Sequence, residues 1–210
     1  MAGQGRFITF EGGEGAGKST HARLLAERLK AEGHPALLTR EPGGTELGRW
    51  LLRLLAQEGP PLDHAAELLL FEAARAQHVT EIIRPTLERG DLVICDRFTD
   101  STLAYQGYGR GLDLALIRKL NDVASGGLSP DLTLLLDLPP DLGLAREDHE
   151  GVSDRIGAEA VAFHERVREG YLALAKEEPQ RFLVLDASLA VDDLSEVIRK
   201  AVSALLSRAS

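Results

Sequence analysis

The segment from Gly12 to Thr20, GGEGAGKST, is separated by one residue, Glu11, from the apolar run Phe7 to Phe10 and precedes leucines at 24, 25 and 29. Gly12, Gly17, Lys18 and Ser19 fit the spacing GxxxxGK[ST], and a strand before it with a helix after it is the context this spacing requires. Glycines let backbone N–H groups turn inward on phosphate oxygens. A helix beginning near Lys18 adds free N–H groups and the positive end of its dipole. Lys18 is then expected to reach the β- and γ-phosphates and Ser19 to bind Mg²⁺. The whole stretch, Gly12, Gly13, Glu14, Gly15, Ala16, Gly17, Lys18, Ser19 and Thr20, reads as a cradle for a nucleoside triphosphate. The one asparagine, Asn121 in NDVAS, leaves no guanine-reading NKxD, which weakens a GTPase reading.

A phosphate loop of this kind sits between strand and helix, and the rest of the chain continues that alternation. Apolar runs at 6–10, 36–40, 91–96, 131–137 and 181–186 suit strands buried on both faces, hence a parallel sheet covered by helices. Between them the apolar residues take helical spacing, as at Leu68, Leu69 and Phe71, at Ile82 and Ile83 before Pro85, and at Val161, Val167, Leu172 and Leu174. The expected fold is a doubly wound α/β sandwich with five parallel strands. No repeat or linker divides residues 1–210, so one domain is expected. The charged stretch AREDHEGVSDRIGAE, 145–159, stands apart as an excursion between two helices.

Charge and apolar patterning exclude several classes of protein. A net charge of −9 argues against a general nucleic-acid binder, whose affinity comes from clustered Lys and Arg. Apolar stretches such as Leu132 to Leu136 fall far short of the ~20 residues of a membrane span. The start MAGQGRFITFEGG does not read as a secretory signal, and the cytoplasm is the expected compartment. The single cysteine, Cys95 in LVIC, reads as a small buried hydrophobe.

Three further segments carry polar residues a bare scaffold does not need. TREPGG (39–44) brings Arg40 and Glu41 to the carboxyl edge of the sheet, where ligands of open α/β folds bind. FEAARAQ (71–77) puts Phe71 and Arg75 on one helical face, an aromatic and a planar donor suited to a base. DRFTDSTLAYQGYGRG (96–111) gathers Arg97, Ser101, Thr102, Tyr105 and Gln106.

Together with the loop, these motifs resemble the thymidylate kinase family of the P-loop nucleoside monophosphate kinase group, in the same order from Phe7 to about Val184. The resemblance implies transfer of the γ-phosphoryl group of ATP to dTMP with Mg²⁺, a five-stranded parallel core, a lid at about 145–157 and a homodimer. It further implies that Phe71 stacks on thymine, that Arg75 meets the base edge, and that Arg40 and Arg97 hold the acceptor phosphate. Ser101, Thr102 and Gln106 resemble base- and sugar-contacting positions, Tyr105 the ring against the deoxyribose, and Glu14 the acidic residue near the acceptor. Asp96 resembles the Mg²⁺-associated carboxylate, with Asp137 as its competitor.

The match has two departures. The loop position that carries an arginine in one branch of the family is Gly15 here, so the lid is expected to supply the cation through Arg155 or Arg146. Acidic Glu147, Asp148 and Glu150 stand between those two. The arginine expected in RWLLRLL is displaced to Arg49 or Arg53, and both are left out of the site. Alternatives are a kinase for another pyrimidine monophosphate such as UMP or dUMP, or a nucleotide-binding regulator without transfer.

Overall fold

The structure is a computed structural model that describes residues 5–56, 62–150, 157 and 159–207, without the side chains of 56 and 147–150. Among the described residues five strands form one parallel sheet in the order β2-β3-β1-β4-β5. They are β1 (Phe7–Gly12), β2 (Ala36–Arg40), β3 (Leu92–Asp96), β4 (Leu132–Asp137) and β5 (Phe182–Asp186), matching the five apolar runs.

β1 is buried along its whole length because α1 (Lys18–Ala31) and α9 (Val191–Ser207) cover one face, while the segment Val79–Ile83, Phe98 and Tyr171 of α8 (Val161–Glu177) cover the other. Alternate residues serve the two sides. Ile8 and Phe10 join Leu25, Leu29 and Ile198, whereas Phe7 joins Val93, Cys95, Val79, Ile83 and Phe98. A strand covered on both faces cannot alternate apolar with polar, and this is why the runs read as continuously apolar. Cys95 is buried and forms no disulfide, as its sequence context suggests.

The remaining helices are α2 (Glu46–Ala56), α3 (His64–His78), α4 (Arg84–Glu88), α5 (Thr99–Thr102), α6 (Leu114–Ser125) and α7 (Pro140–Glu150). Two π-helical turns interrupt the helical regularity. The first, Val79–Ile83, continues α3 up to the turn holding Pro85. Proline brings no N–H to the preceding turn and crowds its carbonyl, so the chain widens there. The second, Leu103–Gly109, lies in the AYQGYG stretch and buries both Tyr105 and Gln106. A π turn rotates less per residue than an α turn, so these neighbours both reach the same cleft. No helix among the described residues is long and apolar enough to cross a membrane.

Candidate active site

Parallel register sets the site. Phe10 pairs with Asp96 and Gly12 with Leu136, so the end of β1, the loop after it and Asp96 emerge at one edge of the sheet. Gly17 caps α1 in the left-handed region, and the Lys18 ammonium turns back to donate to the Gly13 carbonyl at 2.5 Å. Burial, with Arg97 nearby, pulls the Lys18 pKa below its ordinary value, while Glu14 and Asp96 push the other way.

Gly15 has a positive φ of 62°, and a Cβ there would run into the backbone carbonyl of Gly143 on α7. The converse contact holds too, since a Cβ on Gly143 would meet the Glu14 carbonyl. The sequence alone marks Gly15 as a missing arginine. The structure adds that the loop and α7 approach too closely for any side chain.

The Ser19 hydroxyl donates to Asp96 Oδ2 at 2.5 Å, while Asp96 Oδ1 is buried with no hydrogen-bond partner. An unsatisfied buried carboxylate oxygen beside a serine hydroxyl is a donor set for a hard divalent cation. Asp137 is differently placed: Arg168 donates to both its oxygens, at 2.6 and 2.8 Å. Ser19 and Asp96 line one cleft together with Arg40, Thr39 and Gly44.

A second cleft, of about 160 Å³, lies across the Glu41–Pro42 segment. Its wall contains Glu14, Phe71, Arg75, Arg97, Ser101, Thr102, Tyr105 and Gln106. Eight of the residues named from the sequence thus converge on one space. Arg40 is exposed and opens on the Ser19 side.

Arg97 joins the two regions. It holds a left-handed φ of 72°, donates to both oxygens of Glu14 at 2.8 and 2.9 Å, and reaches the Gly12 carbonyl at 3.2 Å. The Tyr105 hydroxyl donates to the same Glu14 at 2.6 Å, and the Arg97 guanidinium lies 4.8 Å from the Tyr105 ring. Although burial alone would lower it, the Glu14 carboxylate holds the Arg97 pKa well above its ordinary value.

Arg75 is placed as a strut. It is 2% exposed, and its five N–H groups donate to Glu41, Glu72, Asn121, the Phe98 carbonyl and Thr102. A base edge can draw on it only by displacing one of these acceptors.

Several residues behind the cleft escaped the sequence reading. Glu11, fully buried at the end of β1, accepts from the Phe98 amide at 2.7 Å, Ser101 at 2.6 Å and Tyr171 at 2.9 Å. Burial and then the charge of Asp100 push its carboxyl up to about 7. An acidic residue closing an apolar strand is a signal that could have been read. Tyr171 gave none, being one more ring on the buried face of α8. Glu67 and Asn121 likewise look like ordinary helix residues until their partners arrive through space.

On the lid side, Arg146 donates to the carbonyls of Gly15 at 3.3 Å and Ala187 at 3.4 Å, bridging the loop and the end of β5. Arg155 lies outside the described residues.

A family model described as thymidylate kinase matches residues 10–198. The chain belongs to the thymidylate kinase family. It is 56% identical over 210 residues to a thymidylate kinase of Desulfovibrio desulfuricans, covering 96% of this chain and 97% of that one. A thymidylate kinase of Deinococcus radiodurans is 52% identical over 200 residues, covering 95% and 97%. The crystal structure of thymidylate kinase from Ehrlichia chaffeensis superposes with a TM-score of 0.75 at 40% identity, covering 94% of this chain and 98% of that one. The family's fold, a P-loop sheet flanked by helices, is the one described above.

Proposed function

We propose that this chain transfers the γ-phosphoryl group of ATP to dTMP, giving ADP and dTDP. The observation that carries the reading is Arg97, which is tied to the phosphate loop through Glu14 and Gly12 while lining the cleft that holds Phe71. The acceptor phosphate then lies beside the donor's terminal phosphate. In this reading Phe71 stacks on the base, Ser101, Thr102 and Gln106 contact base and sugar, and Tyr105 closes the sugar face. Arg40 approaches the phosphates from the Ser19 side.

An acceptor phosphate is already a nucleophile, so positioning and charge neutralisation suffice and no general base is required. Lys18 and Arg97 supply fixed positive charge. Ser19 and Asp96 would hold Mg²⁺, with Asp96 Oδ1 as the oxygen in want of a partner. Bound there, the ion neutralises charge on the transferred phosphoryl group.

The chain acts as a single domain with a lid at about 145–157, which excludes water on closing and brings Arg146 or Arg155 to the phosphates. Arg146 already spans the carbonyls of Gly15, in the phosphate loop, and Ala187, at the end of β5. A homodimer fits the exposed apolar stripe Leu47, Trp50 and Leu54 on α2 and Leu69 on α3.

A coupled ADP-release assay with dTMP, dUMP and UMP in competition tests the reading. Preference for dTMP at saturating Mg²⁺ supports it. No transfer to any of the three, with ATP binding intact, overturns it in favour of a non-catalytic nucleotide-binding protein.

A further inference from the structure

Side-chain amides are ambiguous hydrogen-bonding groups, because a half-turn exchanges a donor for an acceptor. Gln106, 3% exposed in the cleft wall, has lost that freedom. Its Nε2 donates to Oε1 of Glu67 at 2.9 Å. A carboxylate can only accept, so the nitrogen must face Glu67 and the oxygen must face away from it.

Glu67 is itself fixed. It is 5% exposed on α3, and Arg110 donates to its two oxygens at 3.2 Å each. Arg110 is paired in turn with Glu159 and lies 4.8 Å from the Phe163 ring. Neither the carboxylate nor the amide can turn over without breaking this set.

We propose that Glu67 is a specificity-determining positioning residue, which sets the polarity of the Gln106 amide so that its oxygen meets the protonated N3 of a thymine or uracil ring. Cytosine presents a lone pair at N3, and two acceptors then oppose each other. This selection rests on the reading of Gln106 as a base contact. It is separate from stacking on Phe71, which any pyrimidine satisfies.

The test is a double-mutant cycle on the ratio of kcat/KM for dTMP to that for dCMP, using wild type, Glu67→Gln, Gln106→Met and the double variant. A site built to hydrogen-bond one partner can reject a mismatched one by about 10⁴-fold. Glu67→Gln, which lets the Gln106 amide take either orientation, is expected to lower the ratio at least ~10-fold, the worth of one correctly directed hydrogen bond. In the Gln106→Met background the same change should move the ratio less than about twofold.

A Glu67→Gln ratio unchanged from wild type, or an equal loss in both backgrounds, overturns the proposal. If Gln106→Met leaves KM for dTMP unaltered, the base-contact reading fails and takes the proposal with it, a result distinct from the first. Should Glu67→Gln not fold, wild type with N3-methyl-dTMP decides. Binding weaker than that of dTMP by about 30-fold or more supports the orientation, and binding within about threefold overturns it.

Discussion

Replacing Arg75 by lysine keeps the charge and removes the fork. The guanidinium uses all five N–H groups, on Glu41 at 2.8 Å, Glu72 at 3.0 Å, Asn121 at 2.6 Å, the Phe98 carbonyl at 3.1 Å and Thr102 at 2.9 Å. An ammonium has three donors, so at least two buried acceptors lose their bond to this residue; the Phe98 carbonyl keeps the Ser101 amide at 3.1 Å, which leaves one or two groups unpaired. Each orphaned buried group costs about 1–3 kcal/mol, which puts the loss at about 1–6 kcal/mol. Glu72 has no slack, since its second oxygen is already buried without a partner and burial raises its pKa. For a chain of this length about 2–4 °C is lost per kcal/mol, so thermal unfolding should fall by about 2–24 °C. Differential scanning calorimetry reads this directly. Arg49→Lys on the exposed face of α2 serves as the control, with a change below ~0.5 kcal/mol. A drop under 2 °C for Arg75→Lys would refute the view that this arginine holds the wall of the cleft.

Phe71→Ala should raise KM for dTMP about 10- to 100-fold and leave KM for ATP within about twofold, since stacking on a base is worth ~1–3 kcal/mol; steady-state kinetics decide, and an equal effect on both substrates counts against the stacking role. Glu11→Gln should change how stability depends on pH. The folded carboxyl titrates at about 7 against 4.5 unfolded, so between those values the folded chain holds a proton that the unfolded chain has released. Its contribution is therefore present below pH 4.5 and lost as pH rises through 7, by about 3 kcal/mol. Urea unfolding from pH 4.5 to 8 should show wild type losing this much relative to Glu11→Gln, and a pH-independent difference would contradict it. Gly143→Ala should push α7 off the phosphate loop, because the new Cβ meets the Glu14 carbonyl. Overpacking of this kind costs ~1–3 kcal/mol, and KM for ATP should rise while KM for dTMP changes less.

The strands and the phosphate loop were legible because their signals are local. Burial on both faces forces continuous apolar runs, and the loop's chemistry lies within eight consecutive residues from Gly12 to Ser19. Phe71, Arg97, Tyr105 and Gln106 were legible as motif members, and the structure brings them to one cleft. Arg40 was legible as a residue of the sheet edge, but which side of the Glu41–Pro42 segment it occupies was decided by the chain's path in space.

What the sequence determined by itself is therefore the fold class, the spacing of the phosphate-loop motif and the residue types that line the cleft. What only the tertiary structure decided is how those residues are held. Glu11 lies 160 positions from Tyr171, and Arg75 lies 46 from Asn121. Gly15 lies far along the chain from Gly143, whose backbone denies it a side chain. A hydrogen bond or a steric conflict between distant residues leaves no periodicity in the chain, because its range is a few ångströms through space and its partners meet only when the sheet has set their register.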